Sequence, residues 1–448
     1  MVVPSEYNGK NVLAIADDAF RDYVNLKTII ISDSVVTIGS NAFNNCTSLE
    51  NIVIGSRVTN IGDSAFENCV ALSNIAIPHN VINIGNAAFK GCAALNNVNI
   101  EEGTTRIGDS AFENCTALAE IEIPDGVKSI GKNIFNGCEN LNEITLPGSL
   151  QSIGESAFNG CVGLTELEIP DGVVNAGQRL FLGCAALKNV VIGKNVTNIG
   201  DDIFEGCSAL ESVVLKDGFK AVVDKMFEDC VNLKNVTLSN GLQSIGNNAF
   251  DGCIGLTAIE IPDSVKSVGQ YAFSECTALS RAVNGGGVTE FGRDVFYKCF
   301  ALESVVFNEG VTSIGYSMFE ECKSLKSVEM PNSLETVGER AFVNCTSLTE
   351  ITIPDGVKTL GRNAFASCTA LKSMVIGSGV KNIEMSITAG CDSLAEVYYK
   401  GTETDWEQIE IGSCNTSLTD VARYYYSETQ PTEEGNYWHY VDGVVTKW

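Results

Sequence analysis

"LAEIEIPDGVKSIGKNIFNGCEN", residues 118 to 140, is one copy of a 23-residue unit that fills most of this chain. Ile121 and Ile123 alternate with Glu120 and Glu122, the period of a short strand with one buried face. The "PDG" at 124 to 126 that follows is turn chemistry, with proline fixing one backbone angle and Asp-Gly tolerating unusual ones. Gly131 then supplies a backbone position without a Cβ. Phe135, Cys138 and Leu141, three residues apart, suit a short 3₁₀-like or irregular arc whose apolar side chains point inward.

Near copies stand on either side in strict register. "IGDSAFENC" at 61 to 69 returns letter for letter at 107 to 115, and the aligned unit reads L-x-x-I-x-I-P-x-x-V-x-x-I-G-x-x-A-F-x-x-C-x-x. All 17 cysteines, from Cys46 to Cys414, are spaced 23 residues apart. Phe20, Phe43 and Phe66 share one slot with their successors through Phe365, and Leu26, Leu49 and Leu72 share another through Leu394. A unit this small cannot bury its apolar side alone, so each rung stacks on its neighbours. The fold class expected is therefore a β-rich repeat solenoid of about 17 rungs over residues 1–397. Each fully buried Phe or Leu is worth about 1.5 to 3 kcal/mol, so these two ladders outweigh any set of surface ion pairs.

A cysteine in every rung has three readings: disulfide staples, a metal array, or a small packed hydrophobe. Rungs about 4.8 Å apart do not forbid bridges between neighbours, but side chains pointing in parallel fit disulfide geometry poorly. An odd count leaves one thiol over, and Tyr23 fills the same slot in the first copy. Zinc sites want clustered ligands, whereas these cysteines come singly and the only histidines are His79 and His439. Packed free thiols are expected, with no metal and no cofactor. The shortage of histidine also removes most general-base and triad arrangements. "GVKSIGKN" at 126 to 133 nearly matches a phosphate-binding loop, but Asn133 stands where Ser or Thr is needed and its glycines belong to the repeat.

With 29 basic against 56 acidic residues, the formal net charge is −27. Such a chain repels phosphate backbones and anionic lipid and favours neutral or cationic partners, so nucleic acid is not expected. No apolar run is long enough to cross a bilayer. "MVVPSEYNGKNVLAIADDAF" opens without a secretory signal and in what reads as the middle of a repeat, so an upstream segment is expected.

Outward strand positions are where a ligand would be met. Glu120, Glu122, Glu143, Glu166 and Glu168 come from three successive rungs with matching parity, which places five carboxylates on one face within roughly 10 Å along the sheet. They read as a docking patch for a basic partner, a weak divalent-cation site, or a solvated acidic face. Val191, Val214, Val283 and Val306 give the same face a mildly apolar character elsewhere.

Beyond Leu394 the pattern changes, and residues 398–448 carry all three tryptophans of the chain. Trp406, Ile409 and Ile411 are placed to cover the last rung as a cap, and "WHYVDGVVTKW" at 438 to 448 reads as a hairpin turning on Asp-Gly. Cys414 keeps the spacing without the surrounding Phe and Leu, which argues against a true rung there. Tyr437, Trp438, Tyr440 and Trp448 offer rings for stacking on sugars or on a quaternary ammonium.

The I-P, I-G and A-F-x-x-C signposts and the 23-residue length resemble the repeat of BspA-like leucine-rich-repeat proteins, a bacterial surface family, over about residues 10 to 397. The resemblance implies a curved solenoid with the L-x-x-I-x-I strands in a parallel sheet on the concave side and an irregular convex side. It implies a secreted or cell-surface chain that recognises an extracellular or host protein, used in adhesion rather than catalysis. Val223 and Glu384 replace the usual glycine and Thr388 the usual Phe, so distortion is expected near those rungs. The second reading is glycan or cell-wall binding through the aromatic C-terminal segment.

Overall fold

The computed structural model describes residues 1–215 and 218–448, which fall into two compact units, residues 1–219 with 225–237 and residues 220–224 with 238–448. Both are stacks of parallel rungs built the same way. In the rung quoted above, Glu120–Glu122 forms the first strand, with Ile121 and Ile123 buried and the glutamates exposed. After the turn, a second and shorter strand, Ser129–Ile130, buries Ile130. This strand was not foreseen, because two residues are too few to show a period.

The first strands pair in parallel with residues one repeat away, as Asn74 with Asn97 and Ile77 with Ile100. The second strands make a ladder of their own. In the first unit it runs through nine strands, Ala14–Ile15 to Asn198–Ile199, whereas the first-strand ladder is broken there into sheets of three, two, two and four strands. In the second unit the first strands lie in sheets of four and six, the last two of the six being the C-terminal strands Tyr437–Val441 and Val444–Lys447, and the second strands form sheets of four and five. The glycine that ends each second strand is required by a close approach: a Cβ on Gly131 would stand 2.6 Å from the backbone nitrogen of Asp109. The Asp109 carboxylate Oδ1 accepts from the Lys132 amide at 2.8 Å and ties the two rungs together at that corner.

The third side is the arc. Cys138 N donates to Phe135 O and Leu141 N to Cys138 O, the i to i+3 pattern expected. It does not wind into a helix because Asn133 and Gly137 sit in the left-handed region, at φ 51° and 72°. Alternate amides then point along the stack instead of along the chain. Asn133, Phe135 and Gly137 donate to the carbonyls of Glu155, Ala157 and Asn159 in the next rung at 2.8 to 2.9 Å. The left-handed slots are filled mostly by Asn, Ser, Asp and Gly, the residues that tolerate them.

The interior is a set of one-residue ladders. Phe20 through Phe204 stack with ring centroids 5.1 to 5.8 Å apart and planes within 13°, and Phe250 through Phe365 do the same in the second unit. The cysteines lie beside them, buried from Cys46 to Cys391 and in no disulfide among the described residues. Cys414 differs: it follows Gly412 by two residues, takes the left-handed slot at φ 60° and is exposed, so its spacing matches the others by number only. At the expected distortions the chain compensates. Glu384 N still donates to Leu360 O and its carboxylate accepts from Arg362 N at 2.9 Å, while Thr388 is buried and bonds Ser417 Oγ at 2.9 Å. The rung of Val223 supplies Ala221–Val222 to the second unit.

The parallel ladders run on beyond residue 397. Ala422–Tyr426 pairs with Glu396–Tyr399 and Glu410–Ile411 with Asn382–Ile383, with a short helix, Glu403–Trp406, between them. Trp406 and Ile409 are buried there, and Trp406 meets Tyr399 edge to face at 5.3 Å. The hairpin is formed by Tyr437–Val441 and Val444–Lys447, turning on Asp442 and Gly443 at positive φ.

Candidate functional site

The five glutamates are brought to one face. Glu120 lies directly opposite Glu143 in the parallel register and Glu122 opposite Thr145, while Glu166 faces Asn189 and Glu168 faces Val191 on the far side. All five are exposed, and among the described residues none joins an ion pair. The strands Glu143–Thr145 and Glu166–Ile169 belong to different hydrogen-bonded sheets. The gap between them opens a groove of about 680 Å³ lined by Glu143, Thr145, Glu166, Glu168, Asn189 and Val191. Like charges opposite one another in a ladder are destabilising, so this acidic face is held against its own repulsion by the core beneath it. Val191 and Val214 continue the face with half their surface exposed. Nearby carboxylates, apolar rim and groove together can hold a segment that carries both cationic and apolar groups.

The thiols of the inward ladder are shut away from a partner. Burial pushes Cys138 and Cys184 up to about 12, far from the thiolate that a nucleophile or metal ligand requires. Ladder thiols instead donate backward along the stack, as Cys69 to Phe43 O at 3.2 Å, Cys138 to Phe112 O at 3.1 Å and Cys368 to Phe342 O at 3.0 Å. This bond had no signal in the sequence, because a packed hydrophobe and a packed donor repeat alike. "GVKSIGKN" spans a turn and the strand Ser129–Ile130, and Lys132 Nζ is 3.7 Å from Glu155, so no helix N-terminus is present to cradle phosphate.

At the C-terminal end the expectation needs correcting for one residue. Trp438 is wholly buried, and its indole nitrogen donates to Tyr399 O at 3.0 Å. By strand parity it points outward, yet Val375, Tyr398 and Trp438 fold together there into a small second core, flanked by Tyr424 and Val445. Trp438 therefore has no free face for a sugar. Tyr437 is half-buried, Tyr440 is exposed, and Trp448 is exposed with one face covered by His439, whose ring stacks on it at 3.6 Å.

One concentration of side chains was missed by the sequence reading. Tyr271, Arg293, Tyr316 and Arg340 follow one another on the arcs of four successive rungs in the second unit, with the Arg293 guanidinium 5.4 Å from the Tyr271 ring centroid. Their slots are not held by one residue type from copy to copy, so alignment of the repeats averages them away.

Residues 13–128, 105–233, 204–303 and 289–417 match the family described as BspA type leucine rich repeat region (6 copies). Among solved structures, the chain is similar to a leucine-rich repeat protein from Bacteroides ovatus, at 27% identity over 90% of this chain and 93% of that one, TM-score 0.68. It is also similar to a leucine rich cell surface protein from Faecalibacterium prausnitzii, at 24% identity over 91% and 89% of the two chains, TM-score 0.36. A third is the Treponema pallidum (T. pallidum) leucine rich repeat protein, at 35% identity over 36% of this chain and 76% of that one, TM-score 0.35. No match was found among curated proteins. With family matches that reach from residue 13 to residue 417 and a β-solenoid of parallel rungs beneath them, the chain belongs to the BspA-type leucine-rich-repeat family.

Proposed function

We propose that this protein is a non-enzymatic recognition scaffold that binds a basic extracellular or host protein through the outward face of its first-strand sheet, at the cell surface or after secretion. The observation that carries this is the set of five exposed carboxylates at Glu120, Glu122, Glu143, Glu166 and Glu168, without an ion pair among the described residues, of which Glu143, Glu166 and Glu168 line an open groove. A repeat scaffold spends its interior on packing and recognises by side-chain variation on a common frame. The surrounding low charge, with Val191 and Val214 exposed, suits the apolar centre and polar rim of a protein interface. An acidic face of this kind raises the association rate with a cationic partner and makes it sensitive to salt.

The test is binding of the intact chain and of a variant with all five residues changed to Gln, to arrays of extracellular proteins at two salt concentrations. A protein ligand held by the intact chain and lost both in the variant and at high salt supports the reading. A ligand held equally by the variant sinks it. The alternative, wall or glycan binding through Tyr437, Tyr440 and Trp448, is weakened by the loss of Trp438 to the interior.

A further inference from the structure

One arrangement occurs on the first-strand face of each unit, eight repeats apart. In the first unit a groove opens between Glu143–Thr145 and Glu166–Ile169, and Val191 and Val214 follow on the next two rungs, directly opposite each other. In the second unit the ladder opens at the corresponding place, between Ser327–Glu329 and Glu350–Ile353, over a groove of about 400 Å³. Val375 and Tyr398 follow in the slots of Val191 and Val214, again opposite each other. Slot for slot, Glu166 corresponds to Glu350, Glu168 to Thr352 and Ser212 to Glu396.

The two copies differ in what lies on them. Val191 and Val214 are 45% and 53% exposed, whereas Val375 and Tyr398 are each 6% exposed. An outward slot is wet by default in this frame, so the second pair is buried by a cover. That cover is the chain's own hairpin. Trp438 meets the Tyr398 ring edge to face at 5.7 Å, and Val445 packs against the same cluster. Lys447, directly opposite Trp438 in the hairpin, bonds the Glu396 carboxylate and lies 4.6 Å from the Tyr424 ring centroid. The hairpin thus brings an indole, an aliphatic side chain and one cation to an apolar pair and a carboxylate.

We propose that the face around Val191 and Val214 is the open copy of this docking surface, and that it takes a β-hairpin of a partner protein carrying an aromatic ring and a Lys or Arg. It rests on the recognition role given above and names the chemistry of the partner. The ring covers the valine pair, and the cation meets Glu166 and Glu168, the second of which lies directly opposite Val191. The acid is displaced relative to the covered copy: Ser212 stands where Glu396 holds Lys447, and the carboxylates lie on the other side of the apolar pair. Ser212–Val214 is already paired with Asn235–Thr237, so the guest lies on the face through its side chains and adds no strand to the ladder. An aromatic residue suits this because it buries a large apolar area at an interface whose rim is polar.

The experiment titrates the intact chain into a fluorescein-labelled, backbone-cyclised peptide with the sequence of residues 436–448, at low and at physiological salt. Saturable binding that weakens with salt is expected. Val191→Asn with Val214→Asn should lower affinity at least about tenfold. Asn99 fills the same slot in another strand, and an unchanged thermal unfolding curve shows that the fold survives. Peptides with Trp438→Ala or Lys447→Gln should each bind at least about fivefold more weakly. Absence of saturable binding overturns the proposal. So does binding that survives the asparagine changes, which places the peptide at the C-terminal end by exchange with the chain's own hairpin. The variant with all five glutamates changed to Gln keeps the two readings apart. A protein ligand lost in that variant yet held by the asparagine variant overturns the hairpin site and leaves the acidic-face reading standing. Peptide binding that needs the valines and ignores the glutamates sinks the acidic-face reading and upholds the docking surface.

Discussion

The Cys138 thiol donates to the carbonyl oxygen of Phe112, one rung back along the stack, at 3.1 Å. The same carbonyl already accepts from the Cys115 amide at 3.2 Å, so the thiol uses its second lone pair. A cysteine at this slot is both a small hydrophobe and a weak donor, and no aliphatic residue of its size is both. Cys138→Ala, which removes the bond and leaves a void, should destabilise the protein by about 2 kcal/mol. Urea unfolding followed by far-UV circular dichroism measures it. A change under about 0.5 kcal/mol would show that the slot asks only for a small side chain.

Burial of these thiols gives the protein a specific response to alkali. In the folded state Cys92, Cys138 and Cys184 are pushed up to about 12 from an ordinary 9.0. The native state therefore holds protons that the unfolded state has released. This contribution to stability is intact below pH 9 and is lost as pH rises through the interval to about 12. Thermal midpoints should fall steadily across that interval. Ellman's reagent at pH 8 should find one reactive thiol, Cys414, in the native protein and all 17 after denaturation without reductant. Finding only one or two after denaturation would mean that the ladder is bridged.

The period, the inward ladders and the hairpin were legible because each rests on identity at a fixed slot or on strong turn chemistry. Phe135, Cys138 and Leu141 announce an arc by their spacing, and Asp442-Gly443 announces a turn. Ser129–Ile130 does not announce a strand, since two residues have no period and the ladder exists only between copies. Nor does parity place Trp438. Its strand position is an outward one, like that of Glu120, and only the aromatics on neighbouring strands turn that outward face into an interior. The acidic face was readable because equal parity on successive rungs is enough to bring Glu120 and Glu143 together. The groove beside Glu166 was not, because it depends on where the hydrogen-bond ladder opens.

Two kinds of glycine can be told apart by substitution. Gly131 has an ordinary φ, but a Cβ there meets the backbone of Asp109 and Gly108 at 2.6 Å. Gly183 is at φ 69° with nothing within 4 Å of a Cβ. Gly183→Ala should cost about 1 to 2 kcal/mol, the penalty of a left-handed residue. Gly131→Ala forces two rungs apart and should cost about 3 kcal/mol or more. Chemical denaturation of the two variants side by side tests this, and equal costs would mean that the rungs yield easily at that corner.

Trp438→Ala should open the C-terminal end, because it empties the small core against Val375 and Tyr398 and leaves Tyr399 O without the indole donor. The expected loss is about 3 to 5 kcal/mol, felt locally. Trp438→Phe, which keeps most of the ring and loses the donor, should cost about 1 kcal/mol. Hydrogen exchange should show the strands Tyr437–Val441 and Val444–Lys447 unprotected in the alanine variant while rungs of the first unit stay protected. Uniform loss of protection throughout would mean that the whole stack depends on this end.

The acidic face makes the sharpest separation between stability and recognition. Glu120 and Glu143 stand directly opposite each other and neither has a cationic partner among the described residues. Glu143→Gln should therefore stabilise the protein, by about 0.2 to 1 kcal/mol in low salt and by less as salt screens the pair. If the face exists to hold a basic partner, the same substitution should weaken binding, so that stability and affinity move in opposite directions. A variant that gains stability and keeps its affinity would leave the carboxylates as a solvated surface. One that loses stability would show that the repulsion is already offset within the fold. Thermal melts and binding at two salt concentrations, run on the single variant before the fivefold one, decide between these outcomes.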